Sequence, residues 1–259
     1  MQLRFDYRMR LSYSMPVHSC HFIIKCIPQN TKRQRLIDKK IIVEPEIPYS
    51  YGKDSFGNNY IYGQVKEAHD SFLYQIQGNV EIFPSNYEET EGDNIAIYRY
   101  PFGKCIPGEG IKNYFSHLNL PKQMEERELC LQIMHCLHSD FQYRKNQTGV
   151  GTDAQTAWNQ GAGVCQDYAH IMICFLRLAG IPARYVCGLL VGEGESHAWV
   201  EALCHGLWIG FDPTNNCLVQ NQHIKLGHGR DATDCAINRG IMLGGGNQTQ
   251  EIFSLVTEE

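Results

Sequence analysis

The run from Cys165 to Ala179 contains neither glycine nor proline, with Gly161 and Gly163 just before it and Gly180 and Pro182 just after. A glycine past the last turn ends a helix, and a proline two residues further on cannot continue one. Ala169, Met172, Ile173, Leu176 and Ala179 recur at three- and four-residue spacing, which predicts a buried helix. Cys165 then sits in its first turn. There the unpaired backbone N–H groups and the positive end of the helix dipole favour a thiolate over a thiol. The same N–H groups can donate to an oxyanion forming on a carbonyl that the sulfur attacks.

Two strands follow. After the polar loop Gly192–Ser196, residues His197 to Leu203 alternate as a strand, and a turn at Cys204-His205-Gly206 leads into Leu207 to Asp212, which Pro213 ends. A hairpin here makes a geometric demand. If Leu203 faces Gly206, His197 lies directly opposite Asp212; if Cys204 faces Leu207, the two are diagonal neighbours on one face. In both registers an imidazole lies beside a carboxylate. With a thiol at a nearby helix start, this is a nucleophile–base–orienter set of Cys165, His197 and Asp212. Singly, each has a plainer reading: a small core hydrophobe, a surface histidine and a strand-ending turn residue. Their combination makes them candidates.

The runs Gly163-Val164-Cys165-Gln166-Asp167-Tyr168-Ala169-His170, Leu178 to Val186, His197-Ala198-Trp199 and Phe211-Asp212-Pro213-Thr214 resemble the transglutaminase-like superfamily, and within it the bacterial transglutaminase-like cysteine peptidases. Weaker likeness extends over Gly229-Arg230-Asp231, Arg239-Gly240 and Gly244 to Thr249, while the N-terminal third, with Asp54 to Asn58, resembles the β-rich domain that precedes the catalytic one in those proteins. The resemblance implies a papain-like α+β fold, residues 105–259, preceded by an all-β, sandwich-like domain, residues 1–104. It places Cys165, His197 and Asp212 on the family's nucleophile, base and acid. The expected chemistry is acyl transfer on a peptide or other amide through a cysteine thioester, with no cofactor and no metal. Water as acceptor makes an amidase or peptidase and is favoured by the resemblance; an amine makes a transglutaminase. The alternative from another class is a peptide-binding module on the same fold without turnover.

The rest of the chain limits the possibilities. The net charge of −5 over 259 residues, with both signs interspersed, argues against a nucleic-acid groove or a membrane-surface helix. No run has the apolar length of a membrane span. Eleven cysteines, an odd number without CxxC pairs and without an apolar leader in the first twenty residues, lead to the expectation of reduced thiols in a cytoplasm. The oligomeric state is not legible. Alternation from Leu3 to Leu11, short β-branched or aromatic runs at Cys20–Ile27, Lys40–Val43 and Val80–Phe83, and turn signals at Pro28–Asn30, Pro45, Pro48, Gly57–Asn59, Gly78-Asn79 and Gly92-Asp93 predict two β-sheets. Pro101 to Pro121 reads as a linker. Glu125 to Ser139 reads as an amphipathic helix, and Thr152-Asp153 caps a shorter one ending at Gly161. Leu218 to Leu226 and Glu251 to Thr257 read as strands around a glycine-rich loop. Asp167 is expected to compensate the helix dipole. His135, Cys136 and His138 have no usual four-ligand zinc spacing.

Overall fold

The structure, a computed structural model, describes residues 1–85, 87–89, 95–121 and 123–259. The expected turn at Gly92-Asp93 lies outside them. In chain order the first elements are β1 (Gln2–Ile24), β2 (Gln34–Glu44), β3 (Tyr49–Lys53), β4 (Asn59–Val65), β5 (His69–Ile82), β6 (Tyr87–Glu89), α1 (Ala96–Arg99), α2 (Glu109–His117) and α3 (Glu126–Asp140). Next come β7 (Gln142–Tyr143), α4 (Ala154–Gln160), β8 (Ala162–Gly163), α5 (Cys165–Leu178), β9 (Ala183–Leu190) and β10 (Gly192–Gly194). The last are β11 (His197–Cys204), β12 (Leu207–Asp212), β13 (Cys217–Leu218), β14 (His223–Gly229), β15 (Asn238–Gly244) and β16 (Gln248–Glu258).

The fold is α+β: a papain-like core with an all-β, sandwich-like region before it. That β region grows from β1. Leu3, Phe5, Tyr7, Met9, Leu11 and Tyr13 are buried; Ser14, Met15 and Pro16 are exposed; then Cys20, Phe22 and Ile24 are buried. The buried set changes from odd to even numbers, which a strand achieves only by a bulge, and the register with β15 slips between Val17 and Ser19. The neighbours break at the same level. β5 and then β4 run along one side of β1, and β16 and then β15 along the other. β2 and β3 pair with β5 and β4 in turn, interrupted around Pro45 and Pro48. The eight strands, with β10 on the free side of β16, therefore form one hydrogen-bonded sheet. Phe5 and Tyr7 from one half and Phe22 and Val65 from the other share one apolar core. The two layers expected from the sequence are halves of a single bent sheet.

Two turn signals have another meaning here. Gly78 and Asn79 lie inside β5, where a Cβ on Gly78 would run into the Asp38 carbonyl beside a bulge in β2. The glycine-rich segment joins β15 to β16 as a kink along one ribbon. Gly244, Gly245 and Gly246 take φ of 97°, 94° and 59°, and the Gly245 N–H donates to the Pro16 carbonyl at 3.2 Å. Residues 238–258, grouped by sequence with the second region, thus hydrogen-bond along β1.

In the second region α5 packs against a six-stranded sheet ordered β13-β12-β11-β9-β14, with β6 added on β12. Met172, Ile173, Phe175 and Leu176 are completely buried there. Helices α3 and α4 match the sequence expectation to within a residue. The Glu125 and Asp153 carboxylates cap them, accepting from the N–H of Glu128 at 3.1 Å and of Thr156 at 2.8 Å. The Pro101–Pro121 segment contains α2, whose Ile111 is buried and whose Tyr114 and Phe115 pack on the core. The expected strand Leu218–Leu226 is split into β13 and β14.

Candidate active site

α5 begins at Cys165, a half-buried thiol. Two residues on, the fully buried Asp167 carboxylate accepts from the Val164 N–H at 2.8 Å and from the Thr148 hydroxyl at 2.6 Å. Asp167 thus ties the entry of α5 together from inside. Burial raises its pKa, and the two hydrogen bonds only partly offset this.

The hairpin takes the second of the two registers: Cys204 faces Leu207 and Val200 faces Phe211. His197 and Asp212 are therefore diagonal neighbours, and His197 Nε2 lies 2.7 Å from Asp212 Oδ2. That bond leaves Nδ1 for the sulfur. Burial alone lowers the His197 pKa, but the hydrogen bonds and negative charges of Asp212 and Cys165 outweigh it and push the imidazole up to about 10. Cys165, His197 and Asp212, separated along the sequence, are brought together.

Asp212 is completely buried and heavily solvated by protein. Oδ1 accepts from the N–H groups of Thr214 and Asn215, both at 3.1 Å. Oδ2 accepts from Asn215 Nδ2 at 2.8 Å and from His223 Nε2 at 3.1 Å, besides His197. Burial raises its pKa, yet the bonds to His197 and His223 prevail and hold the carboxyl well below the usual carboxylate range. His223, on β14, is a residue that sequence reasoning missed. No sequence signal marks it: Val219 to Leu226 reads VQNQHIKL, in which five of eight positions are polar. His197, Asp212 and His223 place their ligating atoms within 4.8 Å of one another, and hydrogen bonds to one carboxylate oxygen account for that closeness.

Trp199 backs the site. It is 1% exposed, its ring centroid lies 6.2 Å from that of His197, and it meets His223 edge-on at 5.3 Å. Gly188 makes room for it: a Cβ there would collide with the indole and with the Ile224 carbonyl. On the open side stands Tyr143, brought beside Gly163 by the β7–β8 pair. Burial first, then the charges of Cys165 and Glu195, raise its phenol pKa. The Gly192–Glu195 loop is exposed, but its backbone is held: β10 pairs with β16, and the Ser254 hydroxyl donates to the Glu195 carbonyl at 2.6 Å. His135 and His138 point to different partners, the Asn216 side chain and the Pro213 carbonyl.

A cysteine opening a buried helix, with its imidazole and carboxylate on adjacent strands of an antiparallel sheet, is the arrangement of papain-like α+β proteins. Within that class the match is specific: residues 118–213 match the transglutaminase-like superfamily, and residues 3–81 match the bacterial transglutaminase-like N-terminal region. Residues 118–213 thus carry a transglutaminase-like core and residues 3–81 a bacterial transglutaminase-like N-terminal region. An uncharacterized protein of Mycobacterium leprae is 38% identical over 148 residues, a stretch spanning 53% of each chain and so about half the relative's length. A Mycobacterium tuberculosis protein is 27% identical over 273 residues, covering 92% of this chain and 87% of that one. The protein-glutamine gamma-glutamyltransferase of Pseudomonas aeruginosa is 35% identical over 92 residues, 30% of this chain and 14% of that one. Among solved structures, a Cytophaga hutchinsonii protein provisionally called a cysteine protease superposes with a TM-score of 0.80 at 23% identity, covering 100% of this chain and 92% of that one. No helix among the described residues is long and apolar enough to cross a membrane.

Proposed function

We propose that the protein is a thiol-dependent amide hydrolase, a cysteine peptidase or amidase, with Cys165 as nucleophile, His197 as acid and base, and Asp212 as the group that orients the imidazole. The observation that carries this reading is the 2.7 Å bond between His197 Nε2 and Asp212 Oδ2 on an imidazole whose remaining nitrogen faces Cys165. The Cys165 thiolate adds to the carbonyl carbon of an amide, and the charge moves to the carbonyl oxygen. The Cys165 and Gln166 amides at the open start of α5 are the donors at hand for it. The C–N bond then breaks, the His197 imidazolium protonates the departing amine, and a thioester remains. His197, now neutral, takes a proton from water as the oxygen attacks the thioester, releasing the carboxylic acid and the thiolate.

The exposed, polar Gly192–Glu195 loop supports water as the acceptor, because it has no apolar side chain to screen a thioester. Transamidation is the second reading, favoured by the likeness to the Pseudomonas glutamyltransferase. The substrate is a peptide or other amide; neither nucleic acid nor a membrane is a proposed partner. The eleven cysteines are all free thiols, which supports a reducing, cytoplasmic setting. The test is a partition experiment. Amide donors are offered with and without excess primary amine, the Cys165 thioester is trapped by mass spectrometry, and both products are quantified. Free acid should dominate. A mainly amide product would make this a transamidating enzyme, and the absence of any Cys165 adduct would remove the catalytic reading.

A further inference from the structure

The acid of the proposed set is shared. Asp212 Oδ2 lies 2.7 Å from His197 Nε2 and 3.1 Å from His223 Nε2, so imidazoles from β11 and β14, strands separated by β9, reach the same oxygen. A carboxylate oxygen can only accept, so the hydrogen in the second contact belongs to His223 Nε2. Its Nδ1 is buried without a hydrogen-bond partner. His223 is 5% exposed, and its ring is held edge-on by Trp199 at 5.3 Å and 6.1 Å from the His197 ring.

We propose that His223 is a positioning residue: its Nε2–H fixes Asp212 Oδ2 toward His197, so that the imidazolium stays aligned on the Cys165 sulfur. This rests on the assignment of Cys165, His197 and Asp212 above. The need for it follows from the hairpin register. Direct opposition would set His197 and Asp212 side by side, whereas the observed diagonal leaves the carboxylate to reach across. The Thr214 and Asn215 amides hold Oδ1, and Asn215 Nδ2 with His223 brackets Oδ2, so the carboxylate cannot turn away. The groups that bear on Asp212 are His197 of β11, Cys217 of β13 and His223 of β14, with Cys165 of α5 beyond His197 and His138 of α3 bound to the adjoining Pro213 carbonyl. Of these, His197 and His223 are the two that hydrogen-bond it.

The sign of the pH effect follows. A donor to the ionised carboxylate lowers its pKa, so deleting the donor raises it. Asp212 stays ionised across the range tested even so; without the donor the carboxylate is free to turn from His197, the imidazolium is held less firmly beside the sulfur, and the acid limb of Cys165 reactivity should move toward neutral pH. The experiment is the pH profile of iodoacetamide labelling at Cys165, read by mass spectrometry from pH 4 to 8, in wild type, His223→Leu, His223→Gln and His197→Ala. Thermal melts establish that each variant is folded. His223→Leu should label about tenfold more slowly at pH 6, with its acid limb raised by roughly one pH unit. His223→Gln, which carries an N–H donor at nearly the same reach, should recover most of both. A Leu variant with the wild-type rate and profile, or Gln and Leu variants equally impaired, would overturn the proposal. Failure of the underlying assignment looks different: wild type would not label selectively at Cys165, or His197→Ala would leave labelling unchanged.

Discussion

The two halves of the molecule bury different chemistry. The bent β sheet encloses an apolar core whose buried polar groups are mostly amides: Gln29, Gln34, Asn58 and Gln75. Around α5 the buried polar groups are titratable: Asp167, His170, Arg184, Glu201, Asp212, His223 and Lys225. Removing charges from water costs several kcal/mol per ion unless partners compensate. The half around α5 meets that cost with networks. Arg184 Nε lies 2.6 Å from Glu201, Lys225 Nζ lies 2.8 Å from Glu201 and 3.0 Å from Glu88, and the Arg184 guanidinium stacks on Trp208 at 4.3 Å. The halves meet on the same residue, for Gln34 both donates to and accepts from the Lys225 backbone at 2.8 Å. The contrast teaches that stability is diffuse in one half and concentrated in a few charge pairs in the other.

The sharpest way to break the comparison is at the site. His197→Ala should lower turnover by on the order of a thousandfold or more, and Asp212→Asn by on the order of a hundredfold. Both should leave the β half intact, measured by steady-state rates beside far-UV circular dichroism. Next in size is the charge network. Lys225→Met should cost about 3–5 kcal/mol in chemical denaturation, since Glu201 then loses the cation that bonds both of its oxygens. Adding Glu201→Gln should recover part of the loss.

A smaller, pH-dependent effect comes from His197. Its folded pKa, about 10, is raised from an ordinary value near 6.5. Its charged form therefore contributes stability that is complete below about pH 6.5 and is lost as pH rises through about 10. The melting temperature of wild type relative to His197→Gln should fall across that window; a flat difference would mean that the imidazole is not held charged. The smallest effect belongs to the β half. Arg35 and Glu81 pair at 2.6 Å with side chains 64% and 35% exposed, so Arg35→Ala should change stability by under about 1 kcal/mol.

Local signals carried far. The glycine and proline brackets of α5, the carboxylate caps of α3 and α4, and the hairpin with its two allowed registers were all readable from neighbouring residues. α2 was hidden because Pro107, Gly108 and Gly110 crowd its start, although Ile111, Tyr114 and Phe115 keep helical spacing. The continuity of the β sheet was hidden for another reason. Gly78 and Gly244–Gly246 announce a turn in any local reading, and only the approach of Asp38 or Pro16 from elsewhere in the chain turns them into close contacts and kinks. His223 and the Arg184–Glu201–Lys225 cluster depend on strand order alone, since β14 lies beside β9 with no local pattern to announce it.

The strand β16 has a consequence in time. It pairs with β1, Leu3 against Glu258, and its other edge holds β10 and the Glu195 carbonyl, two residues before His197. A ribosome adds about 5–20 residues per second, so β1 waits roughly ten seconds to a minute for this partner to be made. Until then its edge is open, and the loop that presents the imidazole has nothing to rest on. Cys165 is synthesised well before that support exists. The surroundings of the candidate nucleophile are therefore completed only after β16 has been made.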